Sequence, residues 1–190
     1  MSLLEDTGEL EIVSTSRGFK IKRWKAYERG EPLPLVCAVL PIIGTDKIVE
    51  LLRSPKKRVM GGEWIFFLSE HQKASDTSAR AALERGFREE VRYALEDKTF
   101  FDSRERRALS YQSTNCQNPL RWKAQIYVVP IKDLSALTPD GNEILDVRTR
   151  HINEVMHDVY KKNSSYKGFS PESFLKALEQ HTRRVIKSYH

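Results

Sequence analysis

Cysteine is scarce in this sequence. The 190 residues include two cysteines, Cys37 and Cys116, and neither belongs to a Cys-x-x-Cys pair or a Cys/His cluster. This scarcity argues against a disulfide framework and against a zinc site, although the count permits a single bridge. The sequence also lacks a P-loop, a GxGxxG turn and a Ser/His/Asp spacing. The first two absences argue against ATP-driven motors and dinucleotide oxidoreductases.

Long hydrophobic runs are also missing. The longest apolar run covers residues 35–43 and contains Pro41. A helix that crosses a membrane needs about 20 apolar residues, so this run is far too short. The first eight residues lack the apolar core of a signal peptide. We therefore expect a cytoplasmic protein with no membrane partner.

Basic residues outnumber acidic ones, 32 to 26, which gives a formal net charge of +6. This charge favours anionic partners such as a nucleotide-like small molecule or RNA, but a solvated basic surface would also explain it. Hydrophobic residues make up 39% of the chain, enough for a sizeable core in one compact domain. The oligomeric state is left open.

Short β-prone segments dominate the first third of the chain. Residues 11–13 precede a turn, and residues 19–24 alternate apolar and basic side chains, which predicts a strand with one wet face. Residues 35–43 predict a buried strand that a turn at residues 44–47 pairs with residues 48–53, as a hairpin at the centre of the sheet. A further strand is expected at residues 64–68.

A helix is predicted after residues 75–78, which offer N-cap side chains. Its apolar stripe would face the core and consists of Ala79, Leu83, Phe87, Val91 and Ala94. At 100° per residue the polar face divides into an acidic shoulder and a basic side. The shoulder contains Gly86, Glu89, Glu90 and Tyr93, and the basic side contains Arg85, Arg88 and Arg92.

The second half predicts strands at residues 122–131 and 144–152 and a last helix that opens at Ser170 and Pro171. The fold class is therefore α/β (α+β), a single mixed-sheet domain with helices packed on it.

The segment from about residue 34 to residue 180 resembles the Nudix hydrolases, whose box reads G-x5-E-x7-R-E-U-x-E-E-x-G-U, where U is aliphatic or aromatic. Five positions match this box: Arg85, Phe87, Glu89, Glu90 and Tyr93. Gly86 replaces the first helix glutamate, Arg92 replaces the closing glycine, and the loop from Ser69 to Arg85 is two residues too long. The resemblance implies a Nudix-like mixed β-sheet sandwiched by helices in residues 34–190, after N-terminal strands in an extension at residues 1–33.

The resemblance also implies a chemistry. Glu89 and Glu90 would bind Mg²⁺ or Mn²⁺, with Glu90 catalytic and Arg85 steadying the loop, because diphosphate hydrolysis needs hard cations and these take carboxylate oxygens. Glu143 is a candidate general base or extra ligand. Two simpler interpretations stand beside these: Glu89 pairs with Arg85 or Arg92 on a solvated helix face, and Glu143 is a turn residue.

Two further acidic residues lie near the expected metal site. The loop glutamate of the box has no clean counterpart; Asp76 is a stand-in for it or a helix cap, and we interpret it as a cap. Glu70 is a substitute ligand or a solvent-facing residue, and we interpret it as solvent-facing.

For substrate binding, the candidates are Trp24, Arg53 and Arg58, which would supply a base-stacking surface and phosphate contacts. The leading hypothesis is a metal-dependent hydrolase of a nucleoside diphosphate linked to another moiety. The alternative is a catalytically impaired Nudix-fold module that binds nucleotide or RNA without cleaving it. In a third hypothesis, an unrelated α+β domain, the strand at residues 64–68 would not neighbour the helix.

Overall fold

The computed structural model describes residues 11–15, 19–57, 59–95, 101–112 and 119–190. At its start, strands β1 (Ile12–Ser14) and β2 (Lys20–Lys22) form an antiparallel hairpin, followed by helix α1 (Arg23–Glu28). The strand predicted for residues 19–24 is therefore wrong beyond Lys22. Arg23 turns inward and contacts His71, a distant partner that local alternation cannot reveal. Val13 and Ala26 are buried in the main core, so this segment packs on the rest of the described chain.

The larger sheet has five strands, in the order β10-β7-β8-β3-β6. These are β3 (Leu33–Val39), β6 (Leu68–His71), β7 (Phe101–Tyr111), β8 (Leu120–Val128) and β10 (Phe169–Ser170). The β3–β8 pair is parallel and the other pairs are antiparallel. Strand β3 is almost continuously buried, as its apolar run predicts.

The smaller sheet has three strands in the order β5-β4-β9, namely β4 (Lys47–Arg53), β5 (Trp64–Ile65) and β9 (Ile144–His151). The predicted central hairpin is therefore wrong, because β3 and β4 lie in different sheets and are joined near their turn by a bridge between Pro41 and Ile48. The strand predicted at residues 64–68 is also split. Between its halves, Phe66 and Phe67 bury their rings where the chain passes from one sheet to the other.

Three longer helices complete the fold: α2 (Ala79–Val91), α3 (Ile152–Tyr160) and α4 (Ser173–Lys187). Helix α2 packs against β3 and β6, and α4 packs against β7 and β8. The α+β class is confirmed, and the contact between α2 and β6 removes the third hypothesis. Strand β7 and helix α3 were not predicted. Within the described ranges, no helix has both the length and the apolar character to cross a bilayer.

Helix α2 begins and ends with identifiable caps. The Ser78 hydroxyl accepts a hydrogen bond from the Ala81 amide at 3.0 Å, so the predicted N-terminal signal is confirmed at this residue. The helix ends at Val91, so Ala94 is not part of the helical stripe. Arg92 has a φ of 50°, in the left-handed region. The Nudix box has its closing glycine at this position. The backbone here therefore has the left-handed conformation that favours glycine, although the residue is an arginine.

Arg92→Gly should raise the free energy of unfolding by about 0.5–1 kcal/mol. A left-handed conformation costs a residue with a Cβ roughly 1–2 kcal/mol, and the larger conformational entropy that glycine loses on folding offsets part of the gain. Urea denaturation followed by circular dichroism measures the change. Arg88→Gly is the matched control, since Arg88 is exposed within the helix and its replacement should cost about 1 kcal/mol. A loss of stability in Arg92→Gly would contradict the assigned backbone conformation.

Candidate active site

A cavity of about 140 Å³ lies between the two sheets, α1 and α2. One part of its wall is charged, with the acidic residues Glu70, Glu89, Glu90 and Glu143 and the basic residues Arg53, Lys57 and Lys73. Another part is apolar and aromatic, with Tyr27, Phe67, Trp122 and Phe169. A cavity with both kinds of wall suits a ligand that combines charged groups with a flat or apolar moiety.

Glu90 lies in the last turns of α2 and is 4% exposed. Among the described residues, its carboxylate has neither an ion-pair partner nor a hydrogen-bond donor. Burial raises the pKa of Glu90 well above its usual value, and the neighbouring Glu70 and Glu143 carboxylates raise this pKa further. A buried carboxylate without a partner is costly, so this group favours a proton or a cation as its neighbour.

Glu70 faces inward from β6, and its side chain is 12% exposed. The solvent-facing interpretation is therefore wrong. Its Oε1 accepts a hydrogen bond from the His71 amide at 2.8 Å, and its Oε2 lies 3.1 Å from Nη1 of Arg85. A Cβ added to Gly86 would lie 3.1 Å from the Glu70 Cβ, so the Glu70 side chain packs directly on the glycine. Burial raises the pKa of Glu70 above its usual value, against the attraction of Arg85.

Arg85 joins α2 to the loop that precedes it. Its Nη2 donates to the His71 carbonyl at 2.8 Å and to Oδ2 of Asp76 at 2.9 Å, while its Nε donates to Oδ1 of Asp76 at 3.1 Å. Asp76 also accepts from the Lys73 amide at 2.7 Å, so Asp76 is not the helix cap. These hydrogen bonds lower the pKa of Asp76 although burial acts in the opposite direction. These contacts connect α2 to the loop that precedes it.

Glu89 and Glu143 line the same cavity but pair with basic groups. Glu89 is half-exposed, and its Oε2 lies 3.2 Å from Nη1 of Arg85 and 3.8 Å from Nζ of Lys73. Glu143 is paired with Lys57, whose Nζ lies 2.6 Å from its Oε2. The Glu143 backbone lies in a turn in which Oδ1 of Asp140 accepts from three successive amides. Glu89 thus pairs with Arg85 and Glu143 lies in a turn, as the simpler interpretations state. Both residues also line the cavity.

The three substrate-binding candidates lie in different places. Arg53 lines the cavity, and its buried Nε has no hydrogen-bond acceptor among the described residues. Trp24 is not part of the cavity wall; Lys25 lies over its ring, 5.5 Å from the centroid. Arg58 lies outside the described residues. The structure thus brings Arg53 to the acidic residues and does not bring Trp24 there.

A partly buried histidine, His71, joins the residues on the aromatic side of the cavity. Nδ1 of His71 lies 3.0 Å from Nη1 of Arg23, and Nε2 lies 2.9 Å from Nε1 of Trp122 and 2.8 Å from the Tyr27 hydroxyl. Burial, followed by the Arg23 charge, lowers the pKa of His71 well below 6.5, so the ring is neutral at neutral pH. Sequence reasoning missed Tyr27 and Trp122. Only the inward phase of Trp122 within the alternating strand β8 gave a signal.

Many solved structures match this chain, and three of them are described here. The NUDIX domain of Shewanella oneidensis NrtR, solved with ADP ribose, has a TM-score of 0.55 at 16% identity and covers 81% of this chain and 88% of its own. The E. coli dihydroneopterin triphosphate pyrophosphohydrolase has a TM-score of 0.52 at 12% identity, with 79% and 94% covered. The MutT protein from Methanosarcina mazei Go1 has a TM-score of 0.52 at 12% identity, with 80% and 94% covered.

The chain has the Nudix fold. Its sequence matches no protein-family model, and no curated protein matches it significantly. The resemblance seen in the helix residues is thus confirmed at the level of the fold, by similarity of three-dimensional structure.

The donors in this Nudix-fold cavity suit a hard divalent cation by their chemistry, because the acidic residues offer carboxylate oxygens and Glu90 is buried without a partner among the described residues. They are not arranged as a complete site. In the described part of the chain, no three Asp, Glu, His or Cys side chains converge closely enough to hold a metal ion. Arg85 and Lys57 neutralise Glu70, Glu89 and Glu143 instead. A cation that binds here must replace some of these contacts.

Proposed function

We propose that this chain is a Nudix-type, metal-dependent hydrolase of a nucleoside diphosphate linked to another moiety. The observation that supports this proposal most is Glu90, a buried carboxylate that lies at the charged end of a cavity and has no partner in the described ranges of the chain. In the described part of the chain, no ion pair or hydrogen bond holds this carboxylate. The charges of Arg53 and Lys57 attract it without a direct contact, and a divalent cation bound to it would stabilise its charge further. The fold adds support, since the box residues lie on the helix that forms this wall.

Glu90 and Glu89 would hold Mg²⁺ or Mn²⁺, because both lie in the last turns of α2 and line the cavity. When bound, the cation neutralises the oxygens that bridge the phosphates and activates a water molecule. Arg85 keeps the loop before α2 in place through the His71 carbonyl and the Asp76 carboxylate. It therefore acts as a positioning residue in this proposal.

The other charged residues have separate tasks. Arg53 binds a phosphate oxygen, which would give its buried Nε an acceptor that the described residues do not provide. Glu143 is 41% exposed and acts as the general base that takes a proton from water, with Lys57 holding the carboxylate in place. Both residues line the cavity, and so does Glu90.

The aromatic side of the cavity receives the base or the attached moiety. Trp122 and Tyr27 form an edge-to-face pair with ring centroids 6.4 Å apart, and both contact His71. An aromatic wall of this kind would bind a flat ligand through ring contacts. The NrtR domain, a structural relative, was solved with ADP ribose, which supports a nucleotide-like ligand for this fold.

A second function is favoured by the ion pairs. Arg85 and Lys57 already neutralise Glu70, Glu89 and Glu143, so the cavity accepts an anion with less need for a metal. The chain would then be a module that binds a nucleotide or RNA without cleaving it. Both functions agree with the cytoplasmic location predicted from the sequence.

A release assay distinguishes the two functions. The chain is incubated with nucleotide sugars, dinucleotides, nucleoside triphosphates and capped RNA, with Mg²⁺, with Mn²⁺ and with a chelator, and products are separated by chromatography. Metal-dependent release from a linked nucleoside diphosphate supports the hydrolase. Binding of the same compounds by calorimetry without any release, in either metal, would support the binding module.

A further inference from the structure

Gly86 is buried in the middle of α2, where glycine is unfavourable by roughly 0.5–1 kcal/mol relative to alanine. Its backbone does not have a positive φ, so conformational freedom does not explain the residue. Space does. A Cβ at position 86 would lie 3.1 Å from Cβ and 3.2 Å from Cγ of Glu70, closer than ordinary van der Waals contact. The glycine therefore admits the Glu70 side chain to the surface of the helix.

The Glu70 carboxylate lies beside helix position 86, where the box has its first helix glutamate. Its Oε2 would lie 3.4 Å from a Cβ on residue 86, the point where a glutamate at this position would begin. Residues 86 and 90 are one turn apart on the helix and face the same side. Glu70 thus brings a carboxylate to the neighbourhood of Glu90 from a strand instead of from the helix, and both residues line the cavity.

The contact between Glu70 and Arg85 does not prevent this carboxylate from binding a cation. Arg85 also pairs with Asp76 and Glu89 and donates to the His71 carbonyl. If Glu70 turns toward a metal ion, Arg85 keeps these partners. Glu90, one turn further along the helix, has no competing cation within bonding distance in the described part of the chain.

We infer that Glu70, on β6, supplies the metal-binding carboxylate that α2 lacks at Gly86, and that the glycine makes room for the Glu70 side chain. This inference rests on the proposed hydrolase function. It identifies one ligand that the box does not contain, and it explains why a glycine stands where the box has glutamate.

Mn²⁺ binding to the metal-free protein tests the inference, with electron paramagnetic resonance of free Mn²⁺ as readout and circular dichroism melting to verify folding. Glu70→Gln should weaken binding about 10-fold or more. Gly86→Glu alone should not tighten it, because its Cβ meets Glu70. Combining Glu70→Ala with Gly86→Glu should restore the affinity to within about 3-fold of the parent, since the carboxylate returns to the helix. Glu84→Gln, on the same helix but outside the cavity wall, is the matched control.

The outcomes separate the inference from the function on which it rests. A parent protein that binds no Mn²⁺ would overturn the metal-dependent function and the inference with it. A parent that binds Mn²⁺, with a folded Glu70→Gln variant of equal affinity, would overturn the inference alone and leave Glu70 as a structural partner of Arg85. Weakened binding in Glu70→Gln without recovery in the double variant would contradict the claim that Glu70 takes the place of a glutamate at position 86.

Discussion

Replacing Phe87 by alanine should lower the free energy of unfolding by about 3–5 kcal/mol. The Phe87 side chain is 0% exposed and lies on the core-facing stripe of α2 with Leu83 and Val91. Its ring also contacts that of Tyr93, with centroids 6.0 Å apart. The truncation leaves a cavity that the surrounding strands cannot fill, and urea denaturation followed by tryptophan fluorescence measures the loss.

Phe19→Ala is the control for this experiment, because the Phe19 side chain is 68% exposed. Its replacement should change the free energy of unfolding by no more than about 0.5 kcal/mol. If Phe87→Ala costs less than about 1 kcal/mol, the residue is not packed in the core and the register of α2 is wrong.

Glu90→Gln should reduce metal-dependent hydrolysis by about 100-fold or more while the chain stays folded. The substitution removes the charge that binds the cation but keeps the size of the side chain. Turnover is measured on the substrate that the parent protein cleaves fastest. Glu84→Gln should keep parental turnover, because Glu84 pairs with Arg80 on the same helix and lies outside the cavity wall. Parental activity in a folded Glu90→Gln protein would show that Glu90 is not an essential ligand.

The same substitution should change how stability depends on pH. Burial, Glu70 and Glu143 raise the pKa of Glu90 well above 4.5, although Arg53 and Lys57 lower it. Above about pH 4.5 the folded state therefore holds a proton that the unfolded state has released, so the metal-free protein should lose stability as pH rises through the raised pKa. The melting temperature of Glu90→Gln should fall less over this range. Equal falls in both proteins would contradict a buried Glu90 whose pKa is raised in the folded state.

Helix α2 was predictable because its signals are local. The apolar stripe at helical spacing, the Ser78 cap and the paired glutamates all lie within a few turns of one another. The sheets were harder, because the period of a strand does not say which strand is its partner. Residues 35–53 look like one hairpin in sequence, yet β3 pairs with β8 and β6 while β4 pairs with β9 and β5. Only long-range pairing separates these two arrangements.

The site residues also fall into two groups, those that a local sequence pattern predicts and those that depend on long-range contacts. Arg85, Glu89 and Glu90 follow from the box, and the structure places all of them at one end of the cavity or beside it. The inward position of Glu70 depends on a contact with Gly86 across two elements, and no local pattern indicates it. The wall formed by Tyr27 and Trp122 likewise depends on a shared partner, His71, far from both in sequence.

The most direct test of the proposed function is a crystal of the protein soaked with Mn²⁺ and a non-hydrolysable nucleoside diphosphate, with anomalous scattering recorded at the manganese edge. We expect an anomalous peak in the cavity bonded to a Glu90 carboxylate oxygen at about 2.1 Å, with a phosphate oxygen of the ligand beside it. A ligand-filled cavity without an anomalous peak, or a peak bonded elsewhere, would contradict metal-dependent hydrolysis at this site.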